Sequence, residues 1–372
     1  MTEKIELVRS GEDYFNRLLR MISESKKEIH LQTYIFQNDA TGSAVANALK
    51  NAASRKVKVF LLLDAYGSAS LSRKFIHDLI QHGINIRFFS PFFSRSNFYI
   101  GRRLHHKVIV ADGEIALIGG INISNKYHGT ESKDPWLDYA IQINSNAVAV
   151  HLQRKCRNFY LKRKRSRRNK PYILAFGGEN ISLRIIQNDW LKRKSEIRNA
   201  YFHEIRNAKK EIILIGSYFL PGRRLSNILK KAAKRGVTIK LILAGISDVP
   251  FVRRATCFLY STLLRSNIEL YEWNYSILHG KAAVIDGEWT TIGSFNLNHL
   301  SSYGSIEMNV EVKSTGFSGI LNTELEKVIF QCERVTENTL RTRKGIFTNI
   351  INWFSYRLCR VAAIMVTYIP YK

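Results

Sequence analysis

Four side chains of this sequence have the type and spacing to handle a phosphate: His105 and Lys107 in LHHKVIVADGEIALIGGIN (104–122), and His279 and Lys281 in LHGKAAVIDGEWTTIGSFN (278–296). The second stretch repeats the first 174 positions on, so His105, Lys107, Asp112, Gly119 and Asn122 are matched by His279, Lys281, Asp286, Gly293 and Asn296. On a strand, residues two apart share a face, which lets each histidine and its lysine reach one anionic group. The two lysines and the amides of Asn122 and Asn296 would stabilise charge growing on phosphoryl oxygens. One histidine would attack phosphorus; the other would protonate the leaving oxygen and then deprotonate the incoming nucleophile. Asp112 and Asp286 fall at the far end of each strand, where a structural role is expected of them. A histidine nucleophile also needs its tautomer fixed, normally by a carboxylate on its other nitrogen. Asp138 in DPWLDYAI and Glu307 in SIEMNVEV are the candidates, one in each copy. No carboxylate or histidine cluster has metal-ligand spacing, so neither a metal nor a cofactor is expected.

The elements that must position these residues are duplicated as well. KKEIHLQTYIF (26–36) resembles KKEIILIGSYF (209–219), and LKNAASRKVKVFLLL (49–63) resembles LKKAAKRGVTIKLIL (229–243). An Ala-rich helical pattern ending in basic residues, followed by a β-branched apolar run, predicts helix then strand in each half. The fold class is therefore α/β, repeated. The first copy has a longer loop ahead of its histidine, PFFSRSNFYIGRRL (91–104), which is either a solvated loop or a wall of the substrate channel. The boundaries read as a first domain over 1–153, a basic linker over 154–172, a second domain over 173–335 and a C-terminal tail over 336–372. The stretch 154–170 holds ten basic residues and no acidic one, as a solvated linker, a helix end or a contact with anionic headgroups would.

Bulk composition narrows the partners. A formal charge of +27 favours phosphate-bearing ones: nucleic acid, an anionic membrane or a phosphorylated substrate. The four cysteines, Cys156, Cys257, Cys332 and Cys359, are far apart and form neither a disulfide framework nor a zinc site. The N-terminal stretch lacks the apolar core of a signal peptide, and no run reaches the ~18 apolar residues of a spanning helix.

The duplicated H-x-K-x4-D pattern resembles the signature of the phospholipase D superfamily. The resemblance is closer to its bacterial cardiolipin synthase branch, carried by TYIFQND (33–39), SYFLPGRRL (217–225), LHGKAAVIDGEWTTIGSFNLN (278–298) and the segment Ser305, Glu307, Asn309. It implies two tandem phospholipase D-like domains, each a mixed β-sheet flanked by helices, related by a pseudo-twofold axis. It implies catalytic roles for His105, Lys107, Asp112, His279, Lys281 and Asp286, with His105 the usual nucleophile and His279 the acid and base. Phosphatidylglycerol would donate its phosphatidyl group to the histidine, and a second lipid's hydroxyl would resolve the phosphohistidine to cardiolipin. Two departures stand out: Asn298 replaces a frequent aspartate, and Gly120 stands where the second copy has Ser294.

The expected partners are anionic phospholipids, approached by peripheral attachment to the cytoplasmic face of a bacterial membrane. The tail segment GIFTNIINWFSYRLCRVAAIMVTYIPYK (345–372) is expected either to lie in the membrane interface or to pack on the protein's own core. The alternatives are a phospholipid hydrolase with water as acceptor, a nuclease of the same superfamily, and an inactive lipid-binding scaffold. No nucleic-acid-binding module is recognisable, so no nucleic-acid partner is expected.

Overall fold

The computed structural model describes residues 4–368 apart from 91–92, 95–96, 99–101, 163–170, 177, 193, 299–300, 302–303 and 344. The chain forms two compact units. The first comprises Met1–Ile186 with Ile292–Ser294 and Ile306–Val310; the second takes Gln187–Thr291, Phe295–Ser305 and Glu311–Lys372.

In the first unit seven strands stand in the order Lys4–Arg9, Tyr139–Asn144, Ile115–Gly119, Val108–Ala111, Glu28–Thr33, Lys58–Asp64, Asn85–Phe89. The last three run parallel, and Val108–Ala111 is antiparallel to Glu28–Thr33. Alternation along Glu28–Thr33 shows how the layers form. Ile29 and Leu31 join Leu18, Ile22, Val45 and Leu49 in one apolar cluster, each such side chain contributing roughly 1.5–3 kcal/mol on burial. On the other face Gln32 donates to the Cys156 carbonyl, and His30 stacks on Phe60, which meets Tyr160. Helices therefore cover both faces of a mixed sheet.

The same order of elements recurs in the second unit. Glu211–Gly216, Thr238–Ala244 and Ile268–Trp273 run parallel, with Lys281–Ile285 antiparallel to the first and Glu333–Val335 antiparallel to the last. Both strands expected from VKVFLLL and VTIKLIL are present, each following its Ala-rich helix, Ala40–Ser54 and Arg223–Lys234.

Two parts differ from the sequence expectation, and the tail takes one of the two placements expected of it. The basic stretch placed as a linker from residue 154 begins as helix, because Leu152, Cys156 and Phe159 recur at helical spacing and are buried in Asn146–Tyr160. Residues 163–170 of that stretch lie outside the described residues. The first unit then continues past residue 153 to Ile186, since the strands Tyr172–Phe176 and Glu179–Asp189 pair as a hairpin whose first strand lies against Lys4–Arg9. Finally, the tail folds as Glu337–Arg343 and Ile346–Tyr368, and the longer helix packs on Pro250–Leu264. Of the loop 91–104, residues 91–92, 95–96 and 99–101 lie outside the described residues.

Candidate active site

The motif aspartates show what the end of each strand does. Asp112 accepts backbone N–H groups from Lys26, Lys27 and Glu28 at 2.7–2.8 Å, and Asp286 accepts from Lys209, Lys210 and Glu211 at 2.8–3.0 Å. Both have left-handed φ, 55° and 54°, and each is followed by a left-handed glycine, the pairing that mirror-image hairpin turns favour. Burial pushes the Asp286 carboxyl up, but the three amides outweigh it and hold the pKa below its ordinary value. These aspartates fasten each hairpin to the start of a neighbouring strand. A catalytic assignment carried over from the motif does not describe their contacts.

At the other end of the first hairpin, His105 and Lys107 stand just before the strand Val108–Ala111, not within it. Asp64 fixes their approach. Its carboxylate accepts from Tyr66, Gly67 and Leu104 N–H at 3.0, 3.1 and 2.8 Å, pinning the residue before the histidine. Burial raises the Asp64 pKa despite these donors.

His105 N–H donates to the Ile306 carbonyl at 3.0 Å. Its Nδ1 lies 2.8 Å from Glu307 Oε2 and 3.1 Å from the Ser294 carbonyl oxygen. A carboxylate and a carbonyl only accept, so Nδ1 carries the proton and the lone pair of the neutral ring lies on Nε2. Burial alone would raise the Glu307 pKa. The adjacent His105 ring, Lys107 and the Ser294 hydroxyl reverse that and hold it below the ordinary carboxylate range. Ser294 Oγ is itself positioned by accepting from Met308 N–H at 3.0 Å while donating to Glu307. Of the two candidate carboxylates, Glu307 therefore serves the histidine of the first motif, 202 positions away in sequence.

Asp138 stands just before the strand Tyr139–Asn144 and accepts Tyr139 N–H at 2.7 Å. A Cβ on Gly120 would sit 2.3 and 2.5 Å from its two carboxylate oxygens. Gly120 is thus what the Asp138 side chain requires, where the longer Glu307 leaves room for Ser294 and uses its hydroxyl.

Lysines and amides complete each half. Lys107, 2% exposed, donates to the His105 carbonyl at 3.0 Å and faces the Tyr34 ring at 5.2 Å. The same ring meets His105 edge-on at 5.0 Å. Sequence reasoning passed over Tyr34, although its place beside the motif repeats as Tyr218. Lys281, also 2% exposed, lies 2.7 Å from His279 Nδ1, and Tyr218 stands edge-on to that histidine at 6.1 Å, its hydroxyl donating to Asp248. The amides differ. Asn122 accepts from Ile35 N–H and donates to Tyr127 Oη, holding the 33–35 segment in place. Asn296 accepts from Ser217 Oγ at 3.0 Å, and its NH2 meets no acceptor among the described residues. Asn122 thus has one of its two N–H groups engaged by Tyr127, whereas both of those on Asn296 remain for a phosphoryl oxygen. Among the described residues no cluster of three or more His, Cys, Asp and Glu is placed to hold a metal ion.

A duplicated α/β frame presenting a histidine and a buried lysine from each copy, braced by a motif aspartate, defines a phospholipase D-superfamily enzyme. The chain matches the family described as cardiolipin synthase, PLD-like domain, over residues 18–159 and 201–329, and it belongs to that family. Among its relatives, "Cardiolipin synthase B" of Escherichia coli strain K12 is 34% identical over 349 residues, 91% of this chain and 84% of that one. A "Cardiolipin synthase" of Oceanobacillus iheyensis is 29% identical over 82% of this chain and 64% of its own. Among solved structures, phosphatidylserine synthase of Haemophilus influenzae Rd KW20 superimposes with a TM-score of 0.75 over 98% of this chain and 95% of that one, at 15% identity, which shows a shared fold.

Proposed function

We propose that this protein is a cardiolipin synthase, a phosphatidyltransferase that joins two phosphatidylglycerol molecules and releases glycerol. The observation that carries the mechanism is the placement of His105 Nδ1 between Glu307 Oε2 and the Ser294 carbonyl oxygen, from which we assign the proton to Nδ1 and the nucleophilic lone pair to Nε2. Nε2 forms a bond to the phosphorus of the first phosphatidylglycerol as the P–O bond to its headgroup glycerol breaks, and His279 gives that oxygen a proton. The headgroup hydroxyl of the second phosphatidylglycerol then loses its proton to His279 and attacks phosphorus. The P–N bond breaks and His105 is restored. Lys107, Lys281 and the Asn296 NH2 offset charge on the phosphoryl oxygens; Asn122 holds the backbone around the motif. The enzyme works as a peripheral protein on the cytoplasmic face of the membrane, where its formal charge of +27 meets anionic headgroups.

The test is mass spectrometry of lipids after incubation with phosphatidylglycerol vesicles, beside a single-stranded DNA digestion. Cardiolipin with free glycerol and intact DNA is the expected result. Phosphatidic acid alone would make the protein a hydrolase, and cut DNA with unchanged lipid a nuclease. His105→Ala and His279→Ala should each abolish turnover with the circular dichroism spectrum unchanged, and a covalent phosphatidyl adduct should be trapped in His279→Ala only; substantial turnover in either variant would overturn the two-histidine mechanism.

A further inference from the structure

The C-terminal helix Ile346–Tyr368 lies on Pro250–Leu264 with its less apolar side inward. Ser355 is buried, and Asn352, Tyr356, Cys359 and Arg360 are half-buried; Tyr356 stacks on Phe258 at 4.9 Å. Phe347, Ile350, Ile351, Phe354, Leu358 and Val361 point outward, 45–83% exposed. Their spacing of three and four residues makes one continuous stripe, and a helix that only covers a core has this pattern the other way round.

The charge at the stripe is one-sided. Neither helix contains Asp or Glu, while they carry Arg253, Arg254, Arg357 and Arg360. Arg253 is committed inward: with Tyr260 and Arg343 it donates to the buried carboxylate of Glu272, at 3.2, 2.8 and 2.6 Å. Arg343 ends the short helix Glu337–Arg343 that precedes the C-terminal helix, so the cluster ties the start of the tail to its unit. Arg357 lies at the edge of the stripe with its guanidinium over the Trp353 ring at 5.4 Å, an aromatic and a cation side by side as at the headgroup level of a bilayer. Two arginines, 357 and 360, interrupt the run, and among the described residues no helix is long and apolar enough to cross a membrane.

We infer that this stripe is the docking face for an anionic lipid bilayer, the helix lying in the plane of the interface with its apolar side chains among the acyl chains and Arg357 among the phosphates. This rests on the reading of the protein as a lipid transferase, and it names the surface that brings the enzyme to its substrate. A second copy of the chain fits less well, because two such faces would meet with arginines at their edges and no carboxylate between them.

Flotation with vesicles tests it. Wild-type protein should float with vesicles of equal parts phosphatidylglycerol and phosphatidylcholine, and about tenfold less with phosphatidylcholine alone. The double variant Ile350→Glu/Phe354→Glu should lose about tenfold in flotation on the mixed vesicles. Phe330→Glu, on the separate helix Thr315–Gln331 and 92% exposed, should float as wild type does. All three proteins should turn over detergent-dispersed phosphatidylglycerol within about twofold of one another. Undiminished flotation of the double variant would overturn the proposal, as would a wild-type dimer that the double variant converts to monomer while flotation holds. Stripe-dependent flotation without any cardiolipin formed would keep the docking face and sink the transferase reading.

Discussion

The two motif regions share a scaffold and differ in their chemistry. Asp112 and Asp286 make the same three amide contacts from the same left-handed turn. At the next turn of the chain the copies part. Gly120 yields its side-chain space to Asp138, whereas Ser294 fills it and braces Glu307. Asn122 accepts from Ile35 N–H and donates to Tyr127 Oη, while the NH2 of Asn296 meets no acceptor among the described residues. What a duplication preserves is the hydrogen bonding that shapes the backbone; what it lets drift is the set of groups that move protons and meet charge.

The comparison breaks most sharply at Glu307. Glu307→Gln removes the carboxylate that fixes His105, and kcat should fall about 10⁴-fold with KM nearly unchanged, by analogy with other orienting carboxylates. Because the Glu307 pKa is depressed, wild-type enzyme keeps this brace until the pH falls below the ordinary carboxylate range, and loses it as the group protonates. The variant's pH–rate profile should lack that acid limb; an intact limb would mean that Glu307 does not hold His105.

Asp286→Asn should leave kcat within about twofold and cost about 2 kcal/mol of stability, the scale of weakened hydrogen bonds to a charged acceptor. The folded Asp286 pKa lies below its ordinary 3.8, so its contribution is fully present above that value and disappears as pH falls through the folded pKa. Urea denaturation at pH 7 and pH 3 should show the gap between wild type and variant narrowing at the lower pH. A constant gap would remove charge from the account.

The smallest effect sharpens the difference at Gly120 and Ser294. Ser294→Ala deletes one hydroxyl donor to Glu307 and should lower kcat about tenfold, equivalent to one hydrogen bond of about 1.4 kcal/mol. An unchanged kcat would leave the Ser294 hydroxyl as packing.

Much of this was legible in the sequence because it is local. VKVFLLL and VTIKLIL announce strands by β-branched runs, and the duplicated histidine–lysine spacing announces the chemistry. The candidates Asp138 and Glu307 were visible too, since Glu307 sits within an alternating strand and Asp138 directly before one. Which histidine Glu307 serves was not legible, because period-two alternation gives the face of a strand and says nothing about its partner 202 positions away. The inward-facing polar side of the C-terminal helix was hidden for a related reason: a helical stripe shows that two faces differ without saying which one is covered. The linker misled because a run of cations conceals Leu152, Cys156 and Phe159, which carry its start into a helix.

Two short segments from the second copy, Ile292–Ser294 and Ile306–Val310, belong to the first unit. On the ribosome His105 emerges 202 residues before Glu307, an interval of about 10–40 s at ordinary elongation rates. Throughout that interval the nascent first half holds His105 without the Glu307 carboxylate, so the pair forms only once synthesis has passed both motifs.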